Sequence, residues 1–218
     1  TCRWKPLKKS PFYKETDLYA GKGCLSRNDA AGFISSIGDS LTLAVLDTAV
    51  TKKAAPLLYN LAELQSDCTK LFHIGPDKTL EIAQQLYEKK LTTYPRTDAR
   101  VLTTAMCRVI RKNVTGLASL PELAGFVGDI TARKAWESLE KTKYVDDSAV
   151  TDHYAIIPTG QTQEEAGLGN LERDVYYLIC RRFLSIFFPP AEFERVTADF
   201  TAKGEHFGMK PERRLSPG

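Results

Sequence analysis

No stretch of this chain approaches the roughly 18 consecutive apolar residues that a membrane-spanning helix needs, and its start lacks a signal-like pattern. Nor is there a large charge of either sign: 30 Lys and Arg against 27 Asp and Glu leave a net +3. Charge on that scale permits a nucleic-acid partner without arguing for one. The five cysteines include no Cys-x-x-Cys pair and the three histidines do not cluster with them, which argues against a zinc site. A scattered, odd cysteine count suits a reducing cytosol better than a disulfide framework. There is no Asp-x-Asp run, so no carboxylate cluster offers itself to magnesium, and there are no internal repeats or low-complexity tracts. What remains is an ordinary soluble composition, 43% hydrophobic and 26% charged. Its 218 residues suffice for one large domain or two small ones. The ends, Thr1 without a methionine and Leu215-Ser216-Pro217-Gly218, read as the cut boundaries of a longer protein.

Along the chain, the first forty residues have weak periodicity and read as irregular structure with one or two short strands. Leu41 to Val50 alternates with period two, which predicts a strand. Pro56 is expected to open a helix with Leu57, Leu58, Leu61, Leu64 and Cys68 on one side. Asp77 is placed to cap a second helix presenting Leu80, Ala83, Leu86 and Tyr87, and Asp98 to cap a third presenting Val101, Leu102, Ala105, Val109 and Ile110 and stopping near Gly116. A fourth is expected over about Ala132 to Lys143. Residues 146–170 read as loop with one apolar segment, Ala155-Ile156-Ile157. Leu171 to Phe187 is helical up to Pro189-Pro190, and Phe193 to Phe207 reads as a strand or hairpin. Strands, then helices, then strands imply a sheet-containing region interrupted by a helical insertion.

Chemistry concentrates at Thr93-Tyr94-Pro95-Arg96-Thr97-Asp98. Pro95 biases Tyr94 toward an extended conformation, so the phenol is presented from a constrained strand end. In an extended segment Arg96 projects to the same side, and its planar guanidinium suits a phosphate. A helix capped by Asp98 would add free N–H groups for an anion. By itself Tyr-x-Arg is far more often a boundary aromatic beside a surface charge. His153, on a polar loop beside Asp152, would by itself more often be a solvated histidine.

The run Leu86-Tyr87-Glu88-Lys89-Lys90-Leu91-Thr92-Thr93-Tyr94-Pro95-Arg96-Thr97-Asp98-Ala99-Arg100 resembles the active-site segment of type IA DNA topoisomerases, particularly the bacterial topoisomerase III branch. Thr151-Asp152-His153-Tyr154-Ala155-Ile156-Ile157-Pro158-Thr159 resembles that family's downstream histidine segment, and Pro56 to Gln65 the stretch upstream of the tyrosine. Three blocks in the family's order are far more specific than any one. The resemblance implies that Tyr94 attacks a DNA phosphate and forms a transient 5′-phosphotyrosyl link. Arg96 would stabilise the charge developing on that phosphate, and His153 would assist through hydrogen bonding or proton transfer. Thr97, Asp98, Arg100 and Thr159 are expected to organise the site or bind DNA, though a turn role accounts for Thr159 equally well. Ala99 stands where the family often has serine and Tyr154 where this branch often has a second histidine, so no role of those side chains carries over.

The implied fold is mixed α+β: a mostly helical gate domain, residues 76–165, inserted into a discontinuous sheet-containing arch, residues 1–75 and 166–218. Gly75-Pro76, Gly160, Gly167 and Gly169 are candidate hinges, although the same residues also simply end helices. The implied cofactor is Mg2+, with ligands in an N-terminal domain outside this chain, so the chain alone is expected not to relax supercoiled DNA. The implied partner is DNA, single-stranded at the cleavage site, and the whole protein is expected to be a monomer in the bacterial cytoplasm, nucleoid-associated. Relaxase-type nucleases need a clustered histidine pair, and tyrosine recombinases several arginines and histidines around a tyrosine near the C-terminus; neither pattern is here. The alternative is a non-catalytic single-stranded DNA-binding or interaction module.

Overall fold

The computed structural model describes residues 1–10, 13, 27–163 and 165–218. They form two compact units: a sheet unit of Thr1–Lys53 with Pro190–Gly218, and a helical unit of Ala54–Pro189. The fold class is thus mixed α+β, with the helical part inserted into a discontinuous sheet part. The chain crosses between units after Lys53 and after Pro189, not at 75/76 and 165/166. The reason is packing. The helices α2 (Leu61–Phe72) and α7 (Asn170–Ser185) share one apolar core with α3 (Pro76–Glu88): Leu64, Cys68, Ile82, Leu86, Ile179 and Phe183 all lie in it. Each of those residues is shielded from water, and each contributes about 1.5–3 kcal/mol of burial free energy where its side chain is large and aliphatic or aromatic. Moving a boundary to residue 75 or 166 would expose that face.

In the sheet unit, β1 (Arg3–Lys5), β4 (Glu205–Met209), β3 (Ala191–Ala202) and β2 (Thr42–Lys53) lie side by side in that order, and β5 (Glu212–Ser216) also pairs with β3. Every pairing is antiparallel. β2 is the strand read from Leu41 to Val50, and β3–β4 is the expected hairpin. Its two-residue turn, Lys203-Gly204, has positive φ at both positions (47° and 84°), the backbone that matches strand twist in tight hairpins. A helix within the first forty residues, α1 (Arg27–Ile37), was not legible, because Gly32 and Ser35-Ser36 weaken its propensity. Phe33 and Ile37 hold it by packing on Phe207, with Trp4 against Phe33 at 4.3 Å. Beneath them Glu205 is buried but satisfied, accepting from Trp4 Nε1 (2.9 Å) and the Ser10 hydroxyl (2.5 Å).

The helical unit departs from sequence expectation wherever distant segments capture the backbone. Pro56 opens no helix: residues 56–60 stay extended because the Leu58 amide bonds the Arg100 carbonyl (3.1 Å) and Tyr59 pairs with Ile156. α2 begins only after Asn60, whose side chain accepts from the Glu63 amide (2.9 Å). α3 starts at Pro76 with Gly75 as cap, so Asp77 sits in the first turn. Asp98 caps nothing; the next helix, α4 (Thr104–Cys107), is capped by Thr103. The expected single third helix is broken into α4 and α5 (Ile110–Gly116), which does stop at Gly116. The fourth lies earlier than expected, as α6 (Pro121–Arg133), ended by Lys134 in the left-handed region and followed by a 3-10 turn, Ala135–Lys141. α7 matches its expectation. Its Arg182 donates to the Leu57 carbonyl (3.0 Å), the Tyr59 hydroxyl (3.1 Å) and Asp67 (2.8 Å), tying α7 and α2 to the extended 56–60 segment. Burial, then hydrogen bonding to Asp67, pushes the Tyr59 hydroxyl well above its ordinary pKa, so it acts as a neutral donor.

Candidate active site

Residues 92–102 form no helix and no regular strand, yet their backbone is secured on both sides. On one side the Leu61 amide bonds the Thr97 carbonyl (3.2 Å), the Leu58 amide bonds the Arg100 carbonyl, and Asn60 Nδ2 donates to the Asp98 carbonyl (3.1 Å). On the other, the Thr93 amide bonds the Ile157 carbonyl (2.9 Å) and the Ala155 amide bonds the Val101 carbonyl (3.1 Å). The three blocks singled out in sequence, 56–65, 86–100 and 151–159, are therefore hydrogen-bonded to one another. Burial alternates along the middle block: Pro95, Thr97 and Ala99 face in, Arg96 and Asp98 face out. A three-residue turn at Pro95, closed by the Thr97 amide on the Pro95 carbonyl (3.1 Å), bends the chain just after Tyr94.

Tyr94 is half-buried. Its ring packs against the His153 ring with centroids 4.4 Å apart, so the phenol and the imidazole predicted from separate blocks do meet. Arg96 is exposed and makes no hydrogen bond or ion pair with a described residue, which leaves its guanidinium free for a ligand. Thr97 is buried and bridges the blocks: its hydroxyl donates to the His153 carbonyl (2.8 Å) and accepts from the Ala99 amide (3.1 Å). That bond fixes the backbone beneath the histidine. Arg100 is engaged within the protein, paired with Glu63 (3.3 Å) and donating to the Leu58 carbonyl (3.4 Å). The Thr159 hydroxyl is likewise committed, donating to the Lys90 carbonyl (2.5 Å) and accepting from the Gln161 amide (3.2 Å). Asp98 is exposed, and with no helix behind it the expected anion-binding N–H groups are missing at that point.

Two residues of the site escaped sequence reasoning. Thr93 donates its hydroxyl to the Ala155 carbonyl (3.1 Å) and accepts from the Ile157 amide (3.0 Å), stapling the tyrosine segment to the histidine segment. Tyr87 fits the apolar stripe of α3 by spacing but is 40% exposed, with its ring edge-on to Tyr94 at 5.4 Å. Tyr154 is half-buried against the core, its hydroxyl pKa raised by that burial. Among the described residues no three His, Cys, Asp or Glu side chains gather as a metal site, and no helix is long and apolar enough to cross a membrane.

A family model described as DNA topoisomerase matches residues 7–218. Among curated proteins the chain is 38% identical to DNA topoisomerase 3 of Shouchella clausii (strain KSM-K16) over 172 residues, 78% of this chain and 23% of that protein. It is 38% identical to DNA topoisomerase 3 of Bacillus subtilis (strain 168) over 183 residues, 83% of this chain and 24% of that one. The chain thus spans about a quarter of the length of these relatives. Among solved structures, full-length topoisomerase I of Thermotoga maritima superposes with a TM-score of 0.62 at 23% identity, covering 90% of this chain and 31% of that chain; at that identity the likeness speaks for the fold alone. The chain belongs to the DNA topoisomerase family, as a type IA member similar to bacterial topoisomerase 3.

Proposed function

We propose that the whole protein carrying this chain is an ATP-independent type IA DNA topoisomerase that cuts and rejoins one DNA strand through Tyr94. The observation that supports this most is the meeting of Tyr94 and His153, with Arg96 two residues on exposed and without a partner among the described residues, on segments held rigid by bonds between the three blocks. In the cutting step the Tyr94 phenol gives up its proton and its oxygen bonds to phosphorus. The bond from phosphorus to the neighbouring 3′ oxygen breaks, and that oxygen takes up a proton. The product is a 5′-phosphotyrosine and a free 3′-hydroxyl, with one ester exchanged for another, so rejoining needs no ATP. A phenol, with a pKa of about 10, leaves more readily than an alkyl alcohol, which keeps the reverse step easy. Arg96 stabilises the charge gathering on the phosphate oxygens and His153 hydrogen-bonds or moves a proton at the Tyr94 oxygen.

In this reading the helical unit is the gate, the sheet unit the arch, and strand passage follows while one cut end stays attached to Tyr94. The substrate is DNA with a single-stranded segment at the cleavage site, and the protein works as a monomer in the bacterial cytoplasm at the nucleoid. The family's Mg2+ is expected to be held by residues outside this chain, since no carboxylates converge among the described residues, and no step above is routed through it. For the same reason the 218-residue chain with magnesium is expected not to relax negatively supercoiled plasmid; efficient relaxation would refute that expectation.

The decisive test is to mix the full-length protein with a labelled single-stranded oligonucleotide, denature, and map the attached nucleotide by peptide mass. An adduct on Tyr94 that disappears in Tyr94→Phe is expected. No adduct, or an undiminished one in Tyr94→Phe, would overturn the reading; oligonucleotide binding without an adduct would favour the non-catalytic DNA-binding module instead.

A further inference from the structure

The backbone of Tyr94 is fixed by its neighbours, but a phenol on a fixed backbone still has its side-chain torsions, and a nucleophile must be aimed. Among the described residues two ring contacts hold this one: His153, with centroids at 4.4 Å and planes inclined by 43°, and Tyr87, at 5.4 Å and 80°. The second is an edge-to-face arrangement, which sets the partially positive rim of one ring against the electron-rich face of the other. We infer that Tyr87 is a positioning residue for the Tyr94 nucleophile, closing with His153 an aromatic clamp around the phenol. The inference rests on the reading of Tyr94 given above and adds a residue to it.

Three observations carry it. First, Tyr87 sits one residue from the end of α3, which is anchored in the core by Ile82, Ala83 and Leu86. Second, the chain between the two tyrosines is short and taut. The Leu91 and Thr92 amides both return to the Leu86 carbonyl (2.9 and 3.4 Å) and Lys90 occupies the left-handed region, so motion of Tyr87 relative to Tyr94 is small. Third, burial does not explain the side chain: it is 40% exposed, whereas Leu86 beside it is sealed in the core. Turning the Tyr94 ring into another staggered well would give up both contacts at once. The clamp therefore biases the phenol toward one orientation before DNA arrives, and pre-orientation of a reacting group is repaid in the rate of the chemical step rather than in binding.

The test uses the full-length protein, measuring single-turnover adduct formation against oligonucleotide concentration, with a melting curve for each variant. Tyr87→Leu keeps an apolar side chain on the helix but removes the aromatic edge. It is expected to slow the saturated rate about 3- to 10-fold, the range an edge-to-face pair is worth, with half-saturation unchanged and the melting temperature lowered by no more than about 4 °C. Tyr87→Phe, which retains the edge and loses only the hydroxyl, is expected to recover the rate to within about twofold. An unchanged rate in Tyr87→Leu, or no recovery in Tyr87→Phe, overturns the inference. So does a raised half-saturation at constant rate, which would make Tyr87 a stacking platform for a base. If the unsubstituted protein forms no adduct at all, the failure lies with Tyr94 as nucleophile and not with the clamp.

Discussion

Alanine at Gly116 is expected to lower the stability of the helical unit by about 2–3 kcal/mol, read as a shift in the urea or thermal unfolding midpoint. Propensity alone predicts the opposite sign, because glycine within a helix is worth about 1 kcal/mol less than alanine. The local geometry decides. A methyl on Gly116, the last residue of α5, would lie 2.0 Å from the Gly160 carbonyl oxygen and 2.7 Å from its carbonyl carbon and Cα. These are backbone atoms and cannot swing aside. Gly160 is confined in turn: its φ is +84°, and a Cβ there would meet the Lys112 carbonyl oxygen at 2.6 Å. Gly160 is thus a close-approach glycine inside the helical unit, not at a crossing between units. The approach matters for the site, because the buried Asn113 amide donates to the Pro158 carbonyl (2.8 Å) and the same loop pairs with the tyrosine segment through Ile157 and Thr159. Gly128→Ala provides the contrast: nothing lies within 4 Å of an added methyl there, so a gain of about 0.5–1 kcal/mol is expected. Equal effects of the two substitutions would show that the α5–loop contact is looser than described.

Arg96→Ala in the full-length protein is expected to slow adduct formation by about 10²- to 10³-fold, the usual cost of losing one preorganised group that stabilises charge in the transition state. Stability should hardly change, since Arg96 is exposed without a partner among the described residues, and such surface changes stay within about 0.5 kcal/mol. Arg96→Lys keeps the charge but loses the planar fork, and is expected to recover only part of the rate. Arg100 is the control on the same segment. Its guanidinium is held by Glu63 and the Leu58 carbonyl, so Arg100→Ala should act on stability and leave the saturated rate less affected. Parallel losses of rate and stability in Arg96→Ala would instead assign Arg96 a structural role.

Elements whose side chains face one uniform environment were legible in sequence. β2, the β3–β4 hairpin, α7 and the end of α5 at Gly116 all fall where periodicity or punctuation placed them. Tyr94, Arg96 and His153 stand out in sequence through the blocks that carry the family resemblance, and the structure brings the Tyr94 and His153 rings together. What periodicity could not carry was the partner of each backbone. Residues 56–60 have a helical spacing of leucines but are drawn into extended structure by Arg100 and Ile156. Asp98 looks like a cap until the neighbouring segments claim the backbone around it, and helix formation waits for Thr103. Tyr87 fits the apolar stripe of α3 and nevertheless turns to Tyr94.

The boundaries of the units show the same division. By itself the sequence determined the class of fold, the strand–helix–strand order, and which tyrosine, arginine and histidine to watch, because composition, spacing and residue chemistry are local. Only the tertiary structure decided that α2 and α7 belong with the helical unit, that Arg100 and Thr159 are spent on internal bonds while Arg96 has no partner among the described residues, and that Tyr87 packs edge-on to Tyr94. Each of those depends on contacts between residues far apart in the chain, where burial and backbone hydrogen bonding outweigh the fraction of a kilocalorie that local preference supplies.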